Sequence, residues 1–247
     1  MKVFRTMLLT ELKLSLRGID MLIFAICMPV VVTVLLGIIF GNKIAFDSAG
    51  YTFLEQSFGS ITTIAICAGG VMGLPLVVSD YRHKKILKRF KVTPISPVMI
   101  LAVQVAIYAL YSIVSLILVY ATATIFFAFR FSGSWLNFLS CYFLVMMSMF
   151  SIGMMVGGIA QNQKMAGMIA SILYFPMLIF SGATLPYEVM PATLQKIVNI
   201  LPLTQGIKLL KAASLGLATD IVLIPIIVIV ALTVICTSIA LRFFKWE

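Results

Sequence analysis

Six stretches of this chain run long enough without a charged residue to cross a lipid bilayer, and no other feature constrains its fold as tightly. A hydrocarbon core of about 30 Å takes about 20 helical residues. Cut at its charged residues, the chain leaves uninterrupted runs at 21–42, 56–79, 92–129, 131–163, 165–187 and 221–241. Pro94 and Pro97 sit near the start of the third run, so its helix is expected to begin at Pro97. The expected spans are 19–42, 56–79, 97–128, 135–160, 165–186 and 221–241. A further apolar segment, 197–207, is too short to cross and is expected to re-enter or lie at the interface. Backbone groups in hydrocarbon must be satisfied within the segment or barrel that carries them. The expected fold is therefore all-α, with one transmembrane domain over residues 1–247.

Composition agrees. The chain is 62% hydrophobic and 11% charged, whereas a soluble domain is usually about 45–50% apolar and about 25% charged. The first run follows a polar-apolar lead of 20 residues and has no small-residue cleavage site before Lys43. A retained helix is expected there rather than a signal peptide.

The 18 Lys and Arg against 8 Asp and Glu give a net charge of +10. In a soluble protein this excess would point to nucleic acid. Here the cations gather at span ends, which points instead to topology. With the N-terminus in the cytoplasm, the inner segments hold 13 of the 18: Lys2, Arg5, Lys13, Arg17, Arg82, Lys84, Lys85, Lys88, Arg89, Lys91, Lys164, Arg242 and Lys245. Lys43, Arg130, Lys196, Lys208 and Lys211 lie outside. Positive-inside bias thus expects both termini in the cytoplasm.

Chemistry of its own is hard to find in this chain. No ionisable residue sits mid-span as a proton relay. Asp20, Asp80 and Asp220 stand at membrane edges, and no phosphate-binding G-x-x-x-x-G-K-[ST] loop occurs. Cys27, Cys67, Cys141 and Cys236 lie in apolar stretches without metal-ligand spacing, and read as small buried hydrophobes. No catalytic residue, metal site or bound cofactor is expected.

Three segments carry more information. In 80–97 (DYRHKKILKRFKVTPISP), His83, Ile86, Leu87 and Phe90 fall within about 100° of a helix face, with all six Lys and Arg opposite. A surface helix ended by Thr93-Pro94 is expected, serving either as a topogenic loop or as a docking helix. In 2–17, Lys2, Thr6, Thr10, Lys13 and Arg17 form one narrow polar face, as in an interfacial helix. Glu11 falls on the apolar side and is expected to take a cationic partner from 82–91. In 182–220, short helices over 192–201 and 203–215 are separated by proline and are apolar enough to need cover. Gly69/Gly73 and Gly153/Gly157 offer small-residue packing faces.

The strings LKRFKVTPIS and FSGATLPYEVMPATLQKIVNILPLTQGIKLLKAASLG, with the amphipathic start and six spans in order, resemble the ABC-2 type permeases. These are membrane subunits of ATP-binding cassette exporters whose ATPases are separate chains. The chain departs from the family pattern at Asp80-Tyr81-Arg82, at Lys85-Ile86 and at Lys211. The resemblance implies a homo- or heterodimer of permease chains with two ATPase subunits, which hold the ATP and magnesium, in a plasma membrane of bacterial type. It implies that Arg82, His83, Ile86, Leu87, Arg89, Phe90, Thr93 and Pro94 belong to a cytoplasmic coupling helix. Glu11 and Lys13 would belong to a connecting helix, and Pro186, Pro191 and Pro202 to external re-entrant helices. The second and fifth spans of similar proteins line the cavity, so Thr62, Thr63, Ile66, Phe175 and Phe180 are its expected lining. An uncharged lining suits an amphipathic or hydrophobic cargo such as a drug, a lipid-like molecule or an antimicrobial peptide. The competing expectation is a stand-alone channel or facilitator.

Overall fold

The computed structural model describes residues 2–18, 23–40, 43–45, 50–84, 97–183, 191–217 and 223–243. Among them, six helices are long and apolar enough to cross a membrane. The order is α1 (Lys2–Ser15), α2 (Ile23–Phe40), α3 (Phe53–His83), α4 (Pro97–Phe127), α5 (Trp135–Ile159), α6 (Gln163–Phe180), α7 (Ala192–Val198), α8 (Pro202–Leu215) and α9 (Leu223–Phe243). The spans are α2 to α6 and α9. The protein is an all-α integral membrane protein with helices in the expected order.

The second span is the axis of the bundle. Its most apolar stretch is 83% buried by the chain itself, and α3 packs against α2, α4, α5, α6 and α8. It begins earlier and ends later than its uncharged run, because charged residues close both ends of the helix rather than interrupt it. At the start, Glu55 Oε2 accepts from the Thr52 N–H at 2.7 Å and Thr52 Oγ1 accepts from the Glu55 N–H at 3.3 Å. This reciprocal cap satisfies two donors that a helix start would otherwise leave open. At the other end, Asp80, Tyr81 and Arg82 are all helical. Both α3 and α4 contain 31 residues, about 46 Å of helix against a core of about 30 Å. They overhang the bilayer, and α1 packs on α4.

The amphipathicity of α1 is met by protein. Phe4, Met7, Leu8 and Leu12 pack against the core, and Glu11 and Ser15 share their face. Lipid was the expected neighbour of this apolar side, yet it is covered by the chain's own spans. Leu9, Leu14 and Leu16 are the leucines left exposed on or just beyond α1.

Opposite the α1 end, which we term the basic end, an aromatic cluster closes the bundle. Phe131 stacks on Trp135 with ring centroids 4.1 Å apart, and Phe58, Tyr120, Phe129 and Phe138 surround them. Aromatic side chains favour such a membrane–water boundary. Ala128 takes φ of 50° just after α4, turning the chain so that Phe129 enters the cluster. The cysteine expectation needs one correction: Cys67 and Cys236 are buried and Cys141 half-buried, but Cys27 is exposed on the outer side of α2.

Candidate functional site

At the basic end of α3, two consecutive side chains point to different neighbours. The Tyr81 hydroxyl donates to Glu11 Oε2 on α1 at 2.8 Å, and the Gln104 amide of α4 donates to the same oxygen at 3.0 Å. Gln104 Nε2 also lies 3.0 Å from the Tyr81 oxygen. Three helices therefore meet at one carboxylate. The expectation of a cationic partner for Glu11 is corrected here: among the described residues, its partners are neutral donors. The charge is stabilised by two directed hydrogen bonds, which are stronger than neutral ones because the acceptor is ionised. A second tie lies further along the same pair of helices, where Tyr111 of α4 donates to Ser15 Oγ at 2.8 Å.

The nearby cation is occupied elsewhere. Arg82 Nη1 donates to the carbonyl oxygens of Gly157 at 3.3 Å and Ala160 at 3.2 Å, and to that of Gly158 between them. These carbonyls end α5, where the last turn of a helix has no intrahelical donors left. A guanidinium is well placed there, since it supplies several donors and a positive charge at the negative end of the helix dipole. The turn from α5 into α6 follows directly, with Asn162 Oδ1 accepting from the Met165 N–H at 2.8 Å as the cap of α6.

Arg82 continues a seam along which α3 and α5 approach backbone to backbone. A Cβ on Gly153 would stand 1.9 Å from the Gly70 carbonyl oxygen, and one on Gly157 would strike Val78. Gly70 lies in a π-helical turn, Ala68–Gly73, that interrupts α3. The glycine pair on α5 is thus where the small-residue spacing put it, but its partner on α3 is Gly70. A Cβ on Gly69 would make ordinary contact with Tyr108 at 3.4 Å. The π-turn rotates the following residues out of the register that i, i+4 spacing assumes.

At the opposite end, α7 and α8 form a helical pair separated at Pro202, the first helical residue of α8. Pro202 costs no hydrogen bond at that position. The depth of α8 follows from its neighbours. Ser214 accepts from the Gly133 N–H in the linker between α4 and α5 at 2.9 Å. Lys211 lies over Gly59 of α3, and Gly206 lies against Val145 of α5. Val145 is ten residues into its span, about 15 Å along the helix. The start of α8 therefore reaches about half-way into the bundle, with Leu203, Thr204, Leu209 and Leu210 buried. The chain re-enters, and Gly216 at φ 68° ends the helix. Lys208 donates to Asn199 Oδ1, and partial burial lowers its pKa from the ordinary value.

A profile of the family described as ABC-2 type transporter matches residues 2–215. The chain belongs to the ABC-2 type transporter family. The match runs from α1 to the end of α8 and leaves α9 beyond it. No curated protein matches the chain. ABC-2 proteins are the membrane components of ABC transporters, and the chemistry of ATP hydrolysis is not theirs.

Within this ABC-2 chain, the residues expected at functional positions distribute unevenly. Arg82 and His83 end α3, with Arg82 turned inward and His83 exposed. Ile86, Leu87, Arg89, Phe90, Thr93, Pro94 and Pro186 lie outside the described residues. Glu11 faces α3 and α4, while Lys13 is exposed on the polar side of α1. Pro191 is exposed at the cap of α7. Thr62 and Thr63 are enclosed, and their hydroxyls donate back to the Gly59 and Ser60 carbonyls. Ile66 is enclosed beside them. Phe175 and Phe180 are instead exposed on α6. The five residues expected to line a cavity therefore do not share one surface of this chain. The residues that sequence reasoning did not reach are Tyr81, Gln104 and Tyr111. Tyr81 and Gln104 sit within a turn or two of span ends, where a polar side chain on an otherwise apolar helix is the available signal.

Proposed function

We propose that this chain is the permease subunit of an ATP-driven exporter, moving an amphipathic or hydrophobic cargo across the plasma membrane with energy from separate ATPase subunits. The observation that carries the reading is that Asp80–His83, the first residues of the 80–97 stretch, form the last turn of α3, the helix against which most of the bundle packs. A push on it would be felt by α2, α4, α5, α6 and α8 together. The basic end would face the cytoplasm, where positive residues belong, and two permease chains would pair with two ATPases. The cargo would meet exposed apolar faces, such as that of α6 with Phe175 and Phe180, rather than fixed charge.

The test is purification of the tagged chain in mild detergent from its native cells. A stoichiometric partner that hydrolyses ATP should co-elute, and Ile86→Asp with Phe90→Asp should abolish that partnership while the chain still inserts. A chain that elutes alone, or conducts when reconstituted by itself, would favour a channel.

A further inference from the structure

Tyr81 and Arg82 are neighbours in sequence, and side chains one position apart on a helix point about 100° away from each other. Here that divergence is used. Tyr81 reaches α1 and α4 through Glu11 and Gln104, at 2.8 and 3.0 Å. Arg82 reaches the end of α5 and the α5–α6 turn through Gly157, Gly158 and Ala160. Between them, the two residues bond to α1, to α4, to the end of α5 and to the first residue of the α5–α6 turn. Both stand immediately before the 85–96 segment.

We propose that Tyr81 and Arg82 are positioning residues that divide a displacement of that segment into two branches. One branch runs through Tyr81 to α1 and α4, and the other through Arg82 to the α5–α6 turn. The proposal rests on the reading of 80–97 as the receiver of ATPase motion.

The asymmetry between the bonds supports distinct branches. Arg82 acts on main-chain carbonyls, so it can pull the backbone of α5 without any side chain of α5 changing rotamer. Below it the Gly70–Gly153 contact leaves no compressible side chain between the helices, so α3 and α5 can move only as a unit or part. Tyr81 acts on a side-chain carboxylate, whose own rotamers give that branch more slack. Arg82 is half-buried, with Nη1 turned toward α5 rather than toward the surface that would meet the ATPase. Its role in coupling lies inside the permease.

The test uses the complex with its ATPase, reconstituted in lipid nanodiscs, with native cysteines replaced and spin labels placed on exposed sites. One pair joins Gln161 in the α5–α6 turn to Ile200 in the turn between α7 and α8. The other joins Leu9 on α1 to Ile200. In the parent complex, ATP with vanadate should shift both distances. Arg82→Gln should lose the Gln161 shift and keep the Leu9 shift, with the ATPase still bound. Tyr81→Phe should do the reverse. Arg82→Lys, which keeps the charge but not the planar fork, should restore part of the Gln161 shift, and it carries the test if Arg82→Gln does not assemble. A purely structural role would lower assembly and both shifts together, and that result would overturn the proposal, as would two variants that leave both shifts intact. Failure of the parent chain to retain any ATPase would instead overturn the function on which the proposal rests.

Discussion

The two ends of the bundle are held together by different physics. At the basic end the ties are directed hydrogen bonds: Tyr81 and Gln104 on Glu11, Tyr111 on Ser15, and Arg82 on three carbonyls. At the far end, besides the Glu55 and Ser214 bonds, they are mainly stacked and edge-on aromatic rings, with α8 pressed against α3 and α5. A hydrogen bond is lost within a fraction of an ångström or a few tens of degrees. Ring and methylene contacts tolerate shear, because each atom pair contributes only about 0.1–0.2 kcal/mol. On the proposed function, the basic end would therefore transmit displacement discretely, and the far end would stay closed while helices slide. In a transporter this places the stiff connections where a partner's motion would arrive.

The largest effect should come where both ends share one rigid element, the α3–α5 seam. Gly153→Val would drive a side chain into the Gly70 carbonyl, against backbone that a rotamer change cannot relieve. We expect loss of folded protein, read as disappearance of the monodisperse peak in detergent chromatography. A variant that elutes normally would show that α3 and α5 can separate there without cost.

Second in size is Glu11. Its replacement by Ala would leave the Tyr81 hydroxyl and the Gln104 amide without their shared acceptor, and a stranded polar group costs about 1–3 kcal/mol. Glu11→Ala should lower the thermal midpoint in detergent and expose a cysteine placed at Leu12 to maleimide, since α1 would detach. Glu11→Gln, which keeps an acceptor oxygen, should lose less. Equal losses would mean that charge, rather than hydrogen bonding, holds α1.

Much of this architecture was legible in the sequence, for a plain reason. Spans are specified by long uncharged runs, and the bilayer thickness fixes how many residues each run needs. The two ends of α3 are less legible, because its helix takes in Glu55 at one end and Asp80 and Arg82 at the other instead of stopping at them. The string Thr52-Phe53-Leu54-Glu55 is a readable capping box that starts the helix ahead of its uncharged run. Pro202 announced the break between α7 and α8, since a proline tolerates only the first turn of a helix. The hydrogen-bonded end was less legible. Tyr81, Gln104 and Glu11 lie 93 positions apart at the widest, and no periodicity links them. Arg82 looked like one more cation in a basic loop, and only its position one residue inside the helix end turns it toward α5. The inner placement of Thr62 and Thr63 was hidden because a threonine in a helix can satisfy its hydroxyl on its own backbone.

The capping box offers the third step down. Thr52→Ala should cost about 1 kcal/mol, visible as a small fall in thermal midpoint. The Glu55 carboxylate also accepts from the Arg130 N–H at 3.3 Å, so Glu55→Ala should cost more than Thr52→Ala by releasing the α4–α5 linker as well. If the two changes are equal, that second bond adds nothing.

The smallest effect should fall on the most visible charge pair. Lys84 and Asp80 form an ion pair of 2.8 Å, one helical turn apart, with the lysine side chain 62% exposed. Such a pair sits in high dielectric, is screened by salt and must immobilise a long side chain, so it contributes about 0.3–0.5 kcal/mol at most. Lys84→Ala should leave the thermal midpoint and the attachment of α1 unchanged within error at physiological salt. This outcome, set against the loss at Glu11, would separate two kinds of polar contact four residues or fewer from the same helix end. The exposed pair competes with water on every side, whereas Glu11 is met by donors that the packing of three helices has already fixed in place. A clear destabilisation by Lys84→Ala would reverse that ranking. It would mean that the basic surface, and not the buried ties beneath it, holds the end of α3 in position.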